Sequence, residues 1–210
     1  QLLAQNPFFS VLTPNFPRDA NELSPVVGYA AKKDTAKINA YLRSPDIKSL
    51  IPPNMKFLWS VKPINEDRST LMFKDKEKHF ELYAMKLQGV DNGPALAGDV
   101  VTDARSDVDP QKGGWEVTMY MNSQGARQWE DITAEAAPAT STQRGKAIAI
   151  VLDNNVYSAP AVANKISGVV SSISASFTQE EITDLANALK AGRLPAPAVI
   201  VSEATVGATL

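Results

Sequence analysis

GKAIAIVLDNNVYSAP (Gly145–Pro160) and FTQEEITDLANALKAGRLPAP (Phe177–Pro197) decide the fold class. Ala147 to Leu152 is apolar on both faces, which marks a central strand covered on each side. Asp153-Asn154-Asn155-Val156 reads as a hairpin turn, because Asp and Asn tolerate positive φ and bond their own backbone. In the second stretch, Thr178-Gln179-Glu180-Glu181 is a capping box. The Thr178 hydroxyl accepts from the third helical N–H and Glu181 reaches back to the cap. Ile182, Leu185, Ala186 and Leu189 then form one buried stripe. Gly192 suits the left-handed position after the last turn, Lys190 and Arg193 suit the negative helix end, and Pro195 and Pro197 forbid continuation.

Working upstream, Ile173, Ala175 and Phe177 alternate with Ser172, Ser174 and Ser176, so this run is a strand with one polar face. Ser123 is expected to cap a helix reaching about Ala136, with a stripe of Ala126, Trp129, Ile132 or Thr133, and Ala136. Asp99 to Val108 and Trp115 to Met121 read as antiparallel strands joined through Asp109-Pro110 and Gly113-Gly114. Trp115, Val117, Met119 and Met121 share a face. His79 to Leu87 and the run from Met55, with Phe57, Trp59 and Val61 in phase, are further strands. The charged stretch Glu66 to Lys78 between them reads as a hairpin loop, and Gly89 to Gly98 as another loop. Asp34 is expected to cap a helix to Arg43 with Ile38, Tyr41 and Leu42 on its apolar side. A helical turn around Ile47, Leu50 and Ile51 follows. Gln1 to Gly28 carries Pro7, Pro14, Pro17 and Pro25 among Phe8, Phe9 and Phe16, the mark of an extended arm that docks by its aromatics. The expected fold is α+β: a mostly antiparallel sheet with two helices packed on one face, plus an irregular Pro-rich N-terminal arm.

Composition narrows the function. The chain has 210 residues, 44% of them hydrophobic, enough to bury a core. Acidic residues number 23 against 21 basic, a net charge of −2, so no basic surplus draws nucleic acid. There is no cysteine and a single histidine, which removes thiolate chemistry and leaves a zinc site without a ligand set. No run of ~18 apolar residues spans a bilayer. The chain starts at Gln1 rather than Met, the expectation for a fragment or a processed product.

The residues that could carry catalysis have plainer roles. His79 sits in an alternating strand. Asp103, Asp107 and Asp109 lack the glycine and terminal glutamate of a calcium loop and read as strand-end carboxylates. Asp153 reads as the turn former, and Glu180 and Glu181 as helix-capping groups. No phosphate-cradling glycine loop occurs. No cofactor, no metal and no enzymatic activity are expected. Binding is better supplied. Val156, Tyr157, Val162, Ile166, Val169 and Val170 surround Ser158-Ala159-Pro160 as an apolar stretch, either core or a partly exposed groove for an extended peptide.

These motifs resemble those of the SecD and fused SecDF family, accessory membrane proteins of the Sec export machinery. The matching elements are LAGDVVTDA (Leu96–Ala104), GARQWEDIT (Gly125–Thr133), AIVLDNNVYSAP (Ala149–Pro160), FTQEEITDLANALKAGRLPAP (Phe177–Pro197) and VGATL (Val206–Leu210). The resemblance implies the first extracytoplasmic domain of a multi-pass membrane protein, on the periplasmic side of the bacterial inner membrane. It implies mainly the mobile head subdomain over 55–197. The stretch 198–210 would return to a base lying largely before Gln1 and lead to a membrane helix, and 1–54 would be a lineage-specific addition of the kind found in Bacteroidota. The implied role is to bind an emerging, unfolded preprotein beside SecF and the SecYEG translocon, with Pro195 and Pro197 as a hinge. The family's proton-carrying carboxylates lie in membrane helices and have no counterpart in this chain. The alternative is a module that docks on translocon partners without touching substrate. Two departures stand out: Gly168 is followed by Val169 where the family has a second Gly, and Ala175 or its neighbour replaces a later Gly.

Overall fold

The computed structural model describes residues 7–16, 24–109, 113–140, 143–174, 178–191 and the backbone of 198–201. The expected single sheet is divided into two. The strands are β1 (Thr13–Pro14), β2 (Val26–Ala31), β3 (Met55–Ser60), β4 (His79–Lys86), β5 (Val101–Val108), β6 (Trp115–Met121), β7 (Ala147–Leu152), β8 (Asn155–Ser158), β9 (Val170–Ser174) and β10 (Ala198–Val201). The larger sheet has seven strands in the order β1-β2-β4-β3-β8-β7-β10, and the smaller has three in the order β5-β6-β9. Every pairing is antiparallel except β3 with β8, where Trp59 lies beside Asn155 and Ser60 beside Val156. The helices are α1 (Thr35–Arg43), α2 (Pro45–Lys48), α3 (Glu66–Met72), α4 (Ser123–Ala136) and α5 (Gln179–Ala191).

The two-sided apolar character of β7 has a direct physical meaning. Ala147, Ala149 and Val151 pack with Val26, Leu58, Tyr83 and Met85 in the core of the larger sheet. Ile148 faces the other way, against Trp129 and Met121, and Ile150 packs against the cluster of Ile173 and Ile182. One strand thus supplies apolar surface to the core beneath it and to the unit above it. On the smaller sheet, α5 covers Ala104, Val117 and Ile173, while Trp129 of α4 packs on Met119 and Met121. The N-terminal arm docks by Leu12 and Phe8 on Ala30, Ile38 and Leu82.

Local chemistry explains the element ends. Thr178 Oγ1 accepts from the Glu181 N–H at 3.2 Å, and Glu181 Oε2 accepts from the Thr178 N–H at 2.9 Å, the expected reciprocal box. Asp153 and Asn154 have φ of 49° and 59°, the pair of positive values that lets a two-residue turn follow strand twist. Gly192, Ala175, Phe177, Pro195 and Pro197 lie outside the described residues.

Four local expectations differ from the structure. Glu66–Met72 is a helix rather than a hairpin loop, because Asn65 caps it by accepting from the Arg68 N–H at 2.9 Å. Val26–Ala31 is a buried strand within a stretch expected to begin as an irregular arm. The cap of α4 is Asn122, whose Oδ1 accepts from the Gly125 N–H at 2.8 Å, not Ser123. Asp34 makes no side-chain cap bond to α1.

Gly145 sits at a close approach of the chain to itself. A Cβ there would fall inside the carbonyl oxygen of Val162 and within 3.0 Å of that of Ala136. Gly145→Ala is therefore expected to lower stability by about 1–3 kcal/mol through overpacking. Gly114→Ala, where a Cβ meets nothing within 4 Å, should stay within about 0.5 kcal/mol. Urea denaturation of the two variants checks the contrast.

Candidate functional site

The groups with catalytic potential are occupied by structure. The Asp153 carbonyl accepts from Asn155 Nδ2 at 2.9 Å inside the turn, and Lys56 Nζ donates to Asn154 Oδ1 at 2.8 Å. His79 is buried, stacked on Phe73 with ring centroids 3.7 Å apart, and its Nδ1 lies 3.0 Å from the Glu77 carbonyl. Arg105 donates to Asp103 at 2.8 Å, and this hydrogen bond first of all holds the Asp103 carboxyl below its ordinary range. Among the described residues, no group of three or more His, Asp or Glu side chains could hold a metal ion.

A polar network crosses the larger sheet beneath α3. Arg68 donates to Glu81 at 2.9 Å and to the Tyr29 hydroxyl at 2.8 Å, while the Tyr83 hydroxyl donates to Glu81 at 2.7 Å. Burial pushes the Tyr83 hydroxyl far above its ordinary value, and the neighbouring Glu81 carboxylate adds to the shift.

The six candidate binding residues do not form one groove. Val156 is 1% exposed inside the larger core, and Val162 is 7% exposed beside Trp129 and Ile148. Both are withdrawn from the surface, since a side chain packed on all sides offers nothing to a ligand. Ile166 is partly buried against the same cluster as Val162. Tyr157 packs partly on the cluster under α5 and lines an open cleft of about 340 Å³ with Val61, Leu152 and Ala188. Lys62 and Asp184, 3.0 Å apart, pair across that cleft. Val169 and Val170 are exposed, at 48% and 43%.

Three side chains of α4 place those two valines. Thr133 Oγ1 accepts from the Ile166 N–H at 2.9 Å and donates to the Trp129 carbonyl at 2.8 Å. Trp129 Nε1 donates to Ser171 Oγ at 3.1 Å in the interior. Glu130 pairs with Lys165, whose hydrogen bond is the main cause holding the Glu130 carboxyl below its ordinary range. The chain between these anchors turns through Gly168, at φ +100°, where no neighbour would crowd a side chain. The segment then enters β9 with Val170 outward and Ser171 inward. Trp129, Thr133 and Ser171 were absent from the candidates. The signal for them was present: an indole on a buried helical stripe requires an acceptor.

A family model described as the P1 head subdomain of SecDF matches residues 74–196. The chain belongs to the SecDF P1 head family. The SecD protein translocase subunit of Rhodothermus marinus is 40% identical over 185 residues, covering 88% of this chain and 27% of its own length. That of Desulfurispirillum indicum is 42% identical over 115 residues, covering 55% of this chain and 21% of its own. The P1 head chain therefore spans roughly a quarter of the length of the curated relatives it matches. A solved structure of SecDF, described as a membrane component that enhances protein export, covers 93% of this chain and 84% of its own at 19% identity and a TM-score of 0.39.

The Tyr83 hydroxyl gives this P1 head a defined alkaline limit. In the unfolded chain it ionises near its ordinary pKa of about 10, whereas the fold retains the proton well above that. Its contribution to stability is therefore complete below about pH 10 and is lost as pH rises beyond. Tyr83→Phe should flatten that alkaline loss relative to the parent in urea midpoints measured across it. Equal slopes would show that Tyr83 does not set the limit.

Proposed function

We propose that this domain is the periplasmic head of a SecD or SecDF protein that binds emerging preprotein and moves to promote proton-gradient-driven export, beside SecF and the SecYEG translocon. It performs no covalent chemistry in this reading. The observation that carries the reading is the exposure of Val169 and Val170 on a segment that α4 pins at both ends. Exposed apolar side chains on a rigid frame suit weak, sequence-tolerant contact with an unfolded chain. The Tyr157 cleft adds a second contact of the same type. Movement would be taken up at Pro195 and Pro197, beyond the end of α5.

The docking alternative draws on different residues. Leu50, Leu71 and Val90 are 78%, 88% and 89% exposed, and the first two lie before the span 74–196 that the family model matches. They suit a partner protein rather than a passing substrate.

Photocrosslinkers placed singly at Tyr157, Val169 and Val170 of the membrane-embedded parent should capture a stalled preprotein. The same probe at Val156 or Val162 should not. Adducts confined to translocon subunits would favour docking, and no preprotein adduct at any of the three exposed positions would exclude the substrate-binding reading.

A further inference from the structure

Among the described residues, the outer edge of β9 is an uncommitted hydrogen-bonding row. The Met121 N–H donates to the Val169 carbonyl at 2.8 Å, and the register continues as Tyr120 with Val170, Met119 with Ser171 and Thr118 with Ser172. In an antiparallel ladder only every second pair exchanges both bonds. Ser171 and Ile173 therefore bond inward to β6. Val170 and Ser172 turn their N–H and C=O groups to the other side, where no strand lies among the described residues. Both residues are exposed.

Edges of this kind are normally blunted by charge, proline or a bulge. The other edge of the same sheet has such guards: β5 carries a bulge between Val101 and Asp103, the charges of Asp103, Arg105 and Asp107, and α5 packed along it. On the larger sheet, the β1 edge is two residues long and ends in Pro14. By contrast β9 reads Val-Ser-Ser-Ile-Ser, with neither charge nor proline and no break in register. On its inner face Ser171 accepts from the Trp129 indole, which anchors the strand on α4.

We infer that the β9 edge captures an extended segment of unfolded polypeptide as an added strand, with Val169 and Val170 giving apolar contact at its entry. This rests on the proposed binding of preprotein and specifies how it is held. The main chain of the guest supplies the bonds, so recognition is nearly independent of guest sequence, as a general export factor requires. The alternation of N–H and C=O at β9 matches any extended backbone, and an unfolded chain offers one along its whole length.

The test uses the 210-residue chain and a fluorescent peptide of mixed apolar and polar sequence, read by anisotropy. Ser172→Pro removes an outward N–H that β6 does not use, so the sheet should survive. It should weaken binding by about tenfold or more, while Ser172→Ala binds as the parent does. A peptide of the same sequence N-methylated at alternate amides should bind as poorly to the parent, which keeps the test valid if the proline variant fails to fold. Undiminished binding of the methylated peptide would overturn edge capture while leaving preprotein binding intact. No binding of any peptide to the parent would overturn both. A dimer in sedimentation, lost in Ser172→Pro, would assign the edge to a second copy of the chain instead.

Discussion

The fold depends on one short parallel contact. Trp59 beside Asn155 and Ser60 beside Val156, with the Val61 N–H donating to the Val156 carbonyl at 2.9 Å, join β1-β2-β4-β3 to β8-β7-β10. A parallel pair cannot be closed by a hairpin and needs a long crossover. In this chain the crossover holds β4, the first two strands of the smaller sheet and α4. The chain then returns through β7 and β8, and β9 and α5 follow. The smaller unit is thus emitted from the larger sheet and tied back to it by β7, whose Ile148 and Ile150 face the unit that the crossover built. Without the β3–β8 contact, the arm and first strands would have no sheet in common with the strand that carries both cores.

Much of this was legible in local chemistry. The Thr178–Glu181 box and the Asp153-Asn154 turn rest on interactions within a few residues, the two-faced β7 on its own unbroken apolar run, and each is in the structure as the residues imply. What escaped was nonlocal or masked by composition. Pairing two sheets instead of one depends on contacts between distant residues, to which periodicity is blind. Glu66–Met72 is so charged that its helical cap at Asn65 was overlooked, and the proline-rich surroundings hid the apolar run of β2.

The binding residues show the same limit. From Val156 to Val170 the apolar positions follow neither a strand nor a helix period, since the segment passes through Pro160 and Gly168. A continuous apolar stretch in sequence therefore splits in space: Val156 and Val162 enter two different cores, and Val169 and Val170 reach solvent. The deciding factor is the set of hydrogen bonds from Trp129 and Thr133, which fix which side of the segment faces inward. The Trp129 indole on the α4 stripe, which needs an acceptor once buried, is the clue to them.

What emerges is a domain whose side chains build the frame and whose backbone, in the proposed reading, does the holding. Carboxylates cap, turn and pair, while the uncharged, unbroken edge of β9 beside exposed valines carries no strand among the described residues. Amide hydrogen exchange at single-residue resolution tests this most directly, with and without saturating unfolded polypeptide. The account predicts that Val170 and Ser172 exchange freely alone and slow when polypeptide is bound, while Ser171 and Ile173 are slow throughout. Unchanged exchange at Val170 and Ser172 with the polypeptide bound would contradict it.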